Sequence, residues 1–247
     1  MNLLIDVGNT RLKWATYQDG RIGEIQSAAH GGIDLGQELQ SAWLRMGMPT
    51  RVTMASVVPG PIVMLRSWIR RHWGVPLDEV AVTAEAFGIR CGYSQPTQLG
   101  VDRWAAVIGA RALSQGDLCV VDCGTAITVD GLNRDNQHRG GFIMPGLGLM
   151  RRTLALGTGS LPDVTGAACM GPAVSTHDAI LGGTLHATVG GVRSALGAMH
   201  QALAREDAPK IYLTGGESRQ IQPHLGIVST VVPDLVFLGL ARFADAA

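Results

Sequence analysis

Lysine is almost missing from this 247-residue chain: Lys13 and Lys210 are its only two, and arginine supplies the rest of its 20 basic residues. Twenty Asp and Glu match them, so the net charge is zero and the pI lies near 7.0. No broad positive field exists for a nucleic-acid backbone, and Arg66, Arg70 and Arg71 read as a solvated helix face. The four cysteines, Cys91, Cys119, Cys123 and Cys169, form no C-x-x-C pair. They read as small buried apolar groups in a reduced compartment. No run reaches the roughly 20 apolar residues of a membrane span, and no basic leader opens the chain, so the expectation is a cytoplasmic protein. There is no G-x-x-x-x-G-K-[ST] and no G-x-S-x-G. Gly146-x-Gly148 lacks the third glycine of a dinucleotide fingerprint, because Arg151 stands there. The seven histidines show no ligand spacing, and His177 and His186 read as structural or surface groups.

What is abundant is glycine, 33 residues, set among apolar runs in a chain that is 46% hydrophobic. That composition supports a large core with many tight turns. The organising stretch is Leu3–Ala15. Leu3 to Ile5 reads as a buried strand with Asp6 at its end. Gly8-Asn9-Thr10 reads as a turn, and Leu12 to Tyr17 as a second strand. A glycine-permitted turn points backbone N–H groups into one concavity, which suits phosphate oxygens. Lys13 adds a mobile positive charge, and a carboxylate beside such a cradle implies a divalent cation.

The pattern returns. Leu118–Asp130 again gives an apolar strand, Asp-x-Gly, a hydroxyl and a second strand: Asp122-x-Gly124-Thr125 against Asp6-x-Gly8-Asn9-Thr10. The interval, 122 − 6 = 116 residues, suits two similarly built halves rather than a solenoid. Between the hairpins, the spacing predicts a helix at Leu35–Met46, a strand at Val52–Val58, a helix at Ile62–His72 and a strand near Val80–Thr83. A loop follows over Phe87–Leu99, then an amphipathic helix from Gly100 ended by Gly116-Asp117. Beyond the second hairpin, Gly140–Gly171 reads as irregular. Helices are expected at Thr176–Leu185 and Gly190–Leu203, and a strand at Lys210–Thr214 runs into Gly215-Gly216. A helix at Leu235–Phe243 is expected to pack on the second half. The boundary falls near Gly116, giving domains 1–116 and 117–247.

Two Asp-x-Gly hairpins can grip a triphosphate and Mg²⁺ from two sides, and in this the sequence resembles the sugar kinase and actin-like ATPase superfamily. Leu213-Thr214-Gly215-Gly216 is similar to that superfamily's adenosine-binding turn. A third element is more specific: Tyr93, Pro96, Leu99, Gly100, Asp102 and Arg103 give Tyr-x-x-Pro-x-x-Leu-Gly-x-Asp-Arg. With the two hairpins, in order, this looks like type III pantothenate kinase over essentially the whole chain. Gln95 stands where the family usually has Asn.

The resemblance implies an α/β fold of two similar ribonuclease H-like α/β domains facing a central cleft. It implies ATP-dependent phosphorylation of pantothenate to 4′-phosphopantothenate, the first step of coenzyme A synthesis, by a homodimer. Asp102 would be the base. Asp6, Val7, Gly8, Asn9, Thr10, Arg11, Leu12 and Lys13 would hold the ATP phosphates, with Thr125 from the other half. Asp6 would orient Mg²⁺ through water, and Asp122 would bind K⁺ or NH₄⁺. Tyr93, Gly100, Val101, Asp102, Arg103 and Thr184 would line the pantothenate site. The residues alone leave two alternatives open: a kinase of another small alcohol on the same fold, and a non-enzymatic nucleotide-dependent assembly protein.

Overall fold

The computed structural model describes residues 1–29, 35–168, 170–203 and 207–247, so Cys169 lies outside the described residues. The chain divides into two units, residues 1–115 with 234–247, and residues 116–233.

The first unit is built on strands β1 (Asn2–Val7), β2 (Arg11–Gln18), β3 (Arg21–Ile22), β4 (Gln26–Ala29), β5 (Arg51–Ser56) and β6 (Leu77–Glu79). Its sheet runs β3-β2-β1-β5-β6, with β4 also on β2. β1 and β2 pair antiparallel with Asp6 opposite Lys13, and β1 pairs parallel with β5. Alternation divides the faces. Leu3, Ile5 and Val7 enter a core with Trp43 of α1 (Leu35–Met46) and Leu65 and Ile69 of α2 (Pro59–His72). Trp43 stands edge-on to Trp14 at 6.2 Å and stacks on Trp73 at 5.4 Å. Asp6, by parity, faces the other way with Leu4. The expected strand at Val80–Thr83 is displaced: β6 occupies Leu77–Glu79, and after Val80 N donates to Met54 O at 2.8 Å the chain leaves the sheet. The expected loop Phe87–Leu99 carries order of its own. β7 (Glu85–Ala86) pairs with β8 (Ile89–Arg90), and Pro96–Gln98 make a 3₁₀ turn.

Helix α3 (Val101–Leu113) begins where the sequence placed it and ends three residues early, at Leu113. It packs on the last helix, α7 (Leu235–Asp245), which also meets β1 and β5. This corrects the expectation that the closing helix belongs to the second half, and with it the boundary of domain 117–247. The apolar pattern of α7 specified a buried face but not its partner. The partner is set by glycines. A Cβ on Gly239 would strike the Ala105 carbonyl, and one on Gly109 would strike the Leu235 carbonyl.

The second unit holds β9 (Leu118–Cys123), β10 (Ala126–Leu132), β11 (His138–Pro145), β12 (Lys210–Thr214) and β13 (Thr230–Val231), in the order β11-β10-β9-β12-β13. This matches the order of the first sheet strand for strand: an antiparallel meander, then two parallel additions. Asp6 and Asp122 are each the fifth residue of a six-residue first strand. Gly140–Gly171 is not irregular throughout, since β11 and α4 (Leu147–Gly157) fill its first half. The two helices expected after it are one, α5 (Thr176–Leu203), which runs through Gly190-Gly191. Buried Thr188, Val189, Val192, Ala195 and Leu196 flank those glycines and outweigh the helix penalty of roughly 1 kcal/mol for each. Helix α6 (Ser218–Leu225) follows β12. Among the described residues no helix is long and apolar enough to cross a membrane.

Candidate active site

In the first unit the β1–β2 turn is closed by Gly8, whose amide donates to the Arg11 carbonyl at 3.0 Å. The side chain of Asp6 is buried at the strand end, with only 8% exposed, while Asn9, Thr10 and Arg11 are exposed at the tip. Arg11 Nη2 donates to Ser27 Oγ at 2.6 Å. Val7 and Leu12 are fully buried and serve as the hairpin's base, so their part in any phosphate grip is through the backbone.

The second element gathers at the start of α3. Asp102 Oδ1 accepts the Arg103 amide at 2.7 Å and lies over Gly100, where a Cβ would come within 2.5 Å of it. Glycine at 100 is therefore what lets the carboxylate take this position. Arg103 is buried, with 5% of the residue exposed; its Nη1 donates to Tyr93 Oη at 2.9 Å, and its guanidinium carbon sits 5.7 Å from the Tyr93 ring centroid. Gln95 accepts from Gln98 Nε2 at 2.9 Å, which pins the 3₁₀ turn ahead of Gly100. Gly100 and Val101 line a pocket of about 390 Å³ together with Ser56, Val57 and Leu99. Ser56 ends β5 and is in register with Val7. The substrate-type loop thus lies at the carboxyl ends of the parallel strands, where open α/β sheets bind ligands.

The second unit gathers its own group. Gly215, at φ +86°, approaches Asp122 so closely that a Cβ would overlap Asp122 Oδ1 and the Cys123 carbonyl. Gly146 is held against the β9–β10 turn, its amide donating to the Thr125 carbonyl at 3.0 Å. Thr125 itself is exposed at the turn. Glu217 was not singled out from the sequence, yet its carboxylate accepts from Leu147 N at 3.0 Å and Gly148 N at 3.1 Å. Arg151 was noticed only as the residue breaking a dinucleotide pattern. It is 7% exposed and donates from Nε to Thr184 Oγ1 at 3.2 Å. The signal for both was weak: a charge in a glycine-rich stretch looks the same whether solvated or buried. Thr184 is buried, gives its proton to the Ile180 carbonyl at 2.8 Å, and lines an apolar pocket of about 740 Å³ with Pro145, Met150 and Ile180. Burial first, and then the nearby carboxylate of Asp130 for Cys119 and of Asp122 for Cys123, push the two thiols up to about 12. They are inert apolar groups, as expected.

Paired sheets of this order, each carrying a carboxylate at the end of its first strand, define the class: an α/β protein of the sugar kinase and actin-like ATPase fold. Solved structures agree. A proposed N-acetylmannosamine kinase from Listeria monocytogenes superposes with a TM-score of 0.54 at 16% identity, over 99% of each chain. A proposed 2-dehydro-3-deoxygalactonokinase from Sinorhizobium meliloti gives 0.58 at 14%, over 100% of this chain and 99% of the other. The sequence profile of the type III pantothenate kinase family matches residues 2–197, and the chain belongs to that family. It is 41% identical to the type III pantothenate kinase of Alkalilimnicola ehrlichii, over 98% of this chain and 97% of the relative. To that of Halorhodospira halophila it is 37% identical, over 99% and 98%. Members of the family are kinases that phosphorylate pantothenate in coenzyme A biosynthesis.

Proposed function

We propose that this chain transfers the γ-phosphoryl group of ATP to the primary hydroxyl of pantothenate, with Asp102 as the base that takes the hydroxyl proton. The observation that carries the reading is the Asp102–Arg103–Tyr93 group at the start of α3, directly after Gly100 and Val101, which line a pocket with Ser56 and Val57 at the end of β5. An alcohol is a weak nucleophile at neutral pH, and phosphoryl transfer otherwise needs mainly positioning and charge neutralisation. Gly100 leaves room for the Asp102 carboxylate, and Arg103 and Tyr93 offer donors for the polar atoms of the substrate. In the second unit, Thr184, which lines a pocket of its own, is the further residue read as a pantothenate contact.

The Gly8 turn, with Asp6 through Lys13, would hold the ATP phosphates, and Thr125, at the corresponding turn of the second unit, is read as a phosphate contact too. Gly215-Gly216 would admit the adenosine. Among the described residues no three carboxylate, histidine or cysteine side chains cluster as a metal cage. That suits Mg²⁺, which takes one or two carboxylates and fills its shell with water and phosphate oxygens. Asp6 would serve through water. Asp122 Oδ1 and the Cys123 carbonyl converge over Gly215, an all-oxygen set with a single carboxylate that fits K⁺ or NH₄⁺. Such a cation would supply positive charge beside the phosphates in a chain nearly devoid of lysine.

A homodimer in the cytoplasm completes the reading. Phe142 and Ile143 on edge strand β11, and Leu156 on α4, are exposed apolar groups of the kind a second subunit covers. The decisive experiment is an ADP-release assay with pantothenate, Mg²⁺ and K⁺, run beside a panel of sugars. Turnover with pantothenate alone is expected; equal turnover with a sugar overturns the substrate assignment. Replacing K⁺ by Na⁺ should slow ATP use, and equal rates in the two salts remove Asp122 as a cation site.

A further inference from the structure

Glu217 ties three parts of the second unit together. Its amide donates to the Cys123 carbonyl at 2.9 Å, at the end of β9. Its two carboxylate oxygens accept from Leu147 and Gly148, the first amides of α4, at 3.0 and 3.1 Å. A helix leaves its first four amides without internal partners, and its N-terminal end carries partial positive charge. Gly146, the N-cap, has no side chain to serve them, and it could not carry one. A Cβ there would run into the carbonyls of Gly124 and Thr125 and come within 3.2 Å of Glu217 Oε2. The cap for α4 therefore has to come from outside, and it comes from the residue directly after Gly215-Gly216.

One turn further along α4 stands Arg151. Its Nε donates to Thr184 Oγ1 at 3.2 Å and its Nη1 to the Gly166 carbonyl at 3.4 Å, while Nη2 is buried with no hydrogen-bond partner. Burial disfavours the charge on this guanidinium, and the Glu217 carboxylate is what favours it. Thr184 is then held from two sides, by Arg151 and by the Ile180 carbonyl.

We propose that Glu217 is a positioning residue for the substrate: by clamping the first turn of α4 it sets where Arg151 holds Thr184, and so sets how tightly pantothenate binds. This rests on the reading of Thr184 as a substrate contact. Glu217 touches no reacting atom in this scheme, so its loss should appear in KM for pantothenate rather than in kcat.

The test is Glu217→Gln in the full-length protein. Glutamine has nearly the same shape but turns an NH₂ group toward one of two amide donors. Loss of one charge-assisted hydrogen bond predicts a rise in KM for pantothenate of about tenfold. The value of kcat should stay within about twofold, and KM for ATP should be unchanged. Arg151→Met should raise the same KM, and the double variant should be no worse than Arg151→Met alone, because the two act in series. A rise in KM for ATP alone, or strictly additive effects, overturns the proposal. Amide exchange at Leu147 and Gly148 supplies a readout independent of turnover: protection is expected at both in the parent and lost at one of them in Glu217→Gln, and unchanged protection at both overturns the clamp. A parent protein that transfers nothing to pantothenate while showing that loss of protection would refute the substrate reading and leave the clamp standing.

Discussion

Asp102 occupies its place through its neighbours' small size and exact spacing rather than through a cap. The N-cap of α3 is Gly100, and Asp102 lies in the first turn, where its carboxylate accepts the amide of Arg103. The helix dipole favours a carboxylate there by only about 0.3–1 kcal/mol, so its replacement should cost little in folding. Asp102→Asn keeps the shape and removes the base. We expect kcat to fall by about 10²–10⁴ while the thermal midpoint hardly moves, measured by ADP release and by melting the two proteins side by side. Turnover close to that of the parent would assign the proton transfer elsewhere. Tyr93 and Arg103 were legible only through the family resemblance; their contact was not, and it arises because a 3₁₀ turn and a helix start bring residues ten apart to 2.9 Å. Glu217 was not legible, since it reaches the first amide of α4 from a strand end 70 residues further along the chain (217 − 147).

At the scale of elements, the hairpins could be read because the apolar strand ending in Asp-x-Gly occurs twice, at Asp6 and Asp122, each time at the start of a half. The helices were harder, because glycine is ambiguous. It ends a helix where φ is positive and lets two helices touch where it is not, and the sequence shows the same letter for both. The Gly109–Gly239 crossing of α3 and α7 is a case of the second kind, whereas Gly190-Gly191 do neither: they lie inside α5, where a Cβ on Gly191 would meet Met144 of β11. Gly239→Ala should therefore be destabilising by about 1–3 kcal/mol or more, since the added methyl meets the rigid backbone of Ala105 rather than a yielding side chain. Urea unfolding gives the number, and a loss below about 0.5 kcal/mol would mean that the helices separate easily. The far end of α7 is fixed by Tyr17 of β2, whose hydroxyl lies 2.8 Å from both carboxylate oxygens of Asp245. Burial, and then the Asp245 hydrogen bond, raise the Tyr17 hydroxyl above its ordinary value of 10.0. A raised acid holds its proton longer in the folded than in the unfolded chain. The stability it lends is thus complete below pH 10.0 and is lost as pH climbs through the higher folded value. Tyr17→Phe should be less sensitive to pH above 10 than the parent; parallel stability curves for the two proteins would refute this.

At the scale of the whole molecule, the chain builds its first unit in two instalments. Residues 1–115 lay down the sheet and three helices; residues 116–233 form the second unit; and 234–247 return to the first as α7. The gap is a consequence of packing. Without α7, the Ala105–Gly109 side of α3 has no partner, and the Leu4 face of β1 loses its cover. Leu235, Phe237 and Leu240 are each no more than 2% exposed in α7, and burying such side chains is worth roughly 1.5–3 kcal/mol apiece. Their sum is comparable with the whole stability of an ordinary domain, about 5–15 kcal/mol. A chain ending at Pro233 should therefore keep the secondary structure of 116–233 while its first unit loses cooperative unfolding. Since Asp6 and Asp102 both belong to that unit, turnover should vanish with it, although no proposed site residue has been removed. Fluorescence reports the first unit alone, because all five tryptophans, Trp14, Trp43, Trp68, Trp73 and Trp104, lie within residues 1–115. A truncated chain that retained the parent's tryptophan unfolding transition would show that α7 is dispensable, and that the first sheet and its three helices are a complete domain.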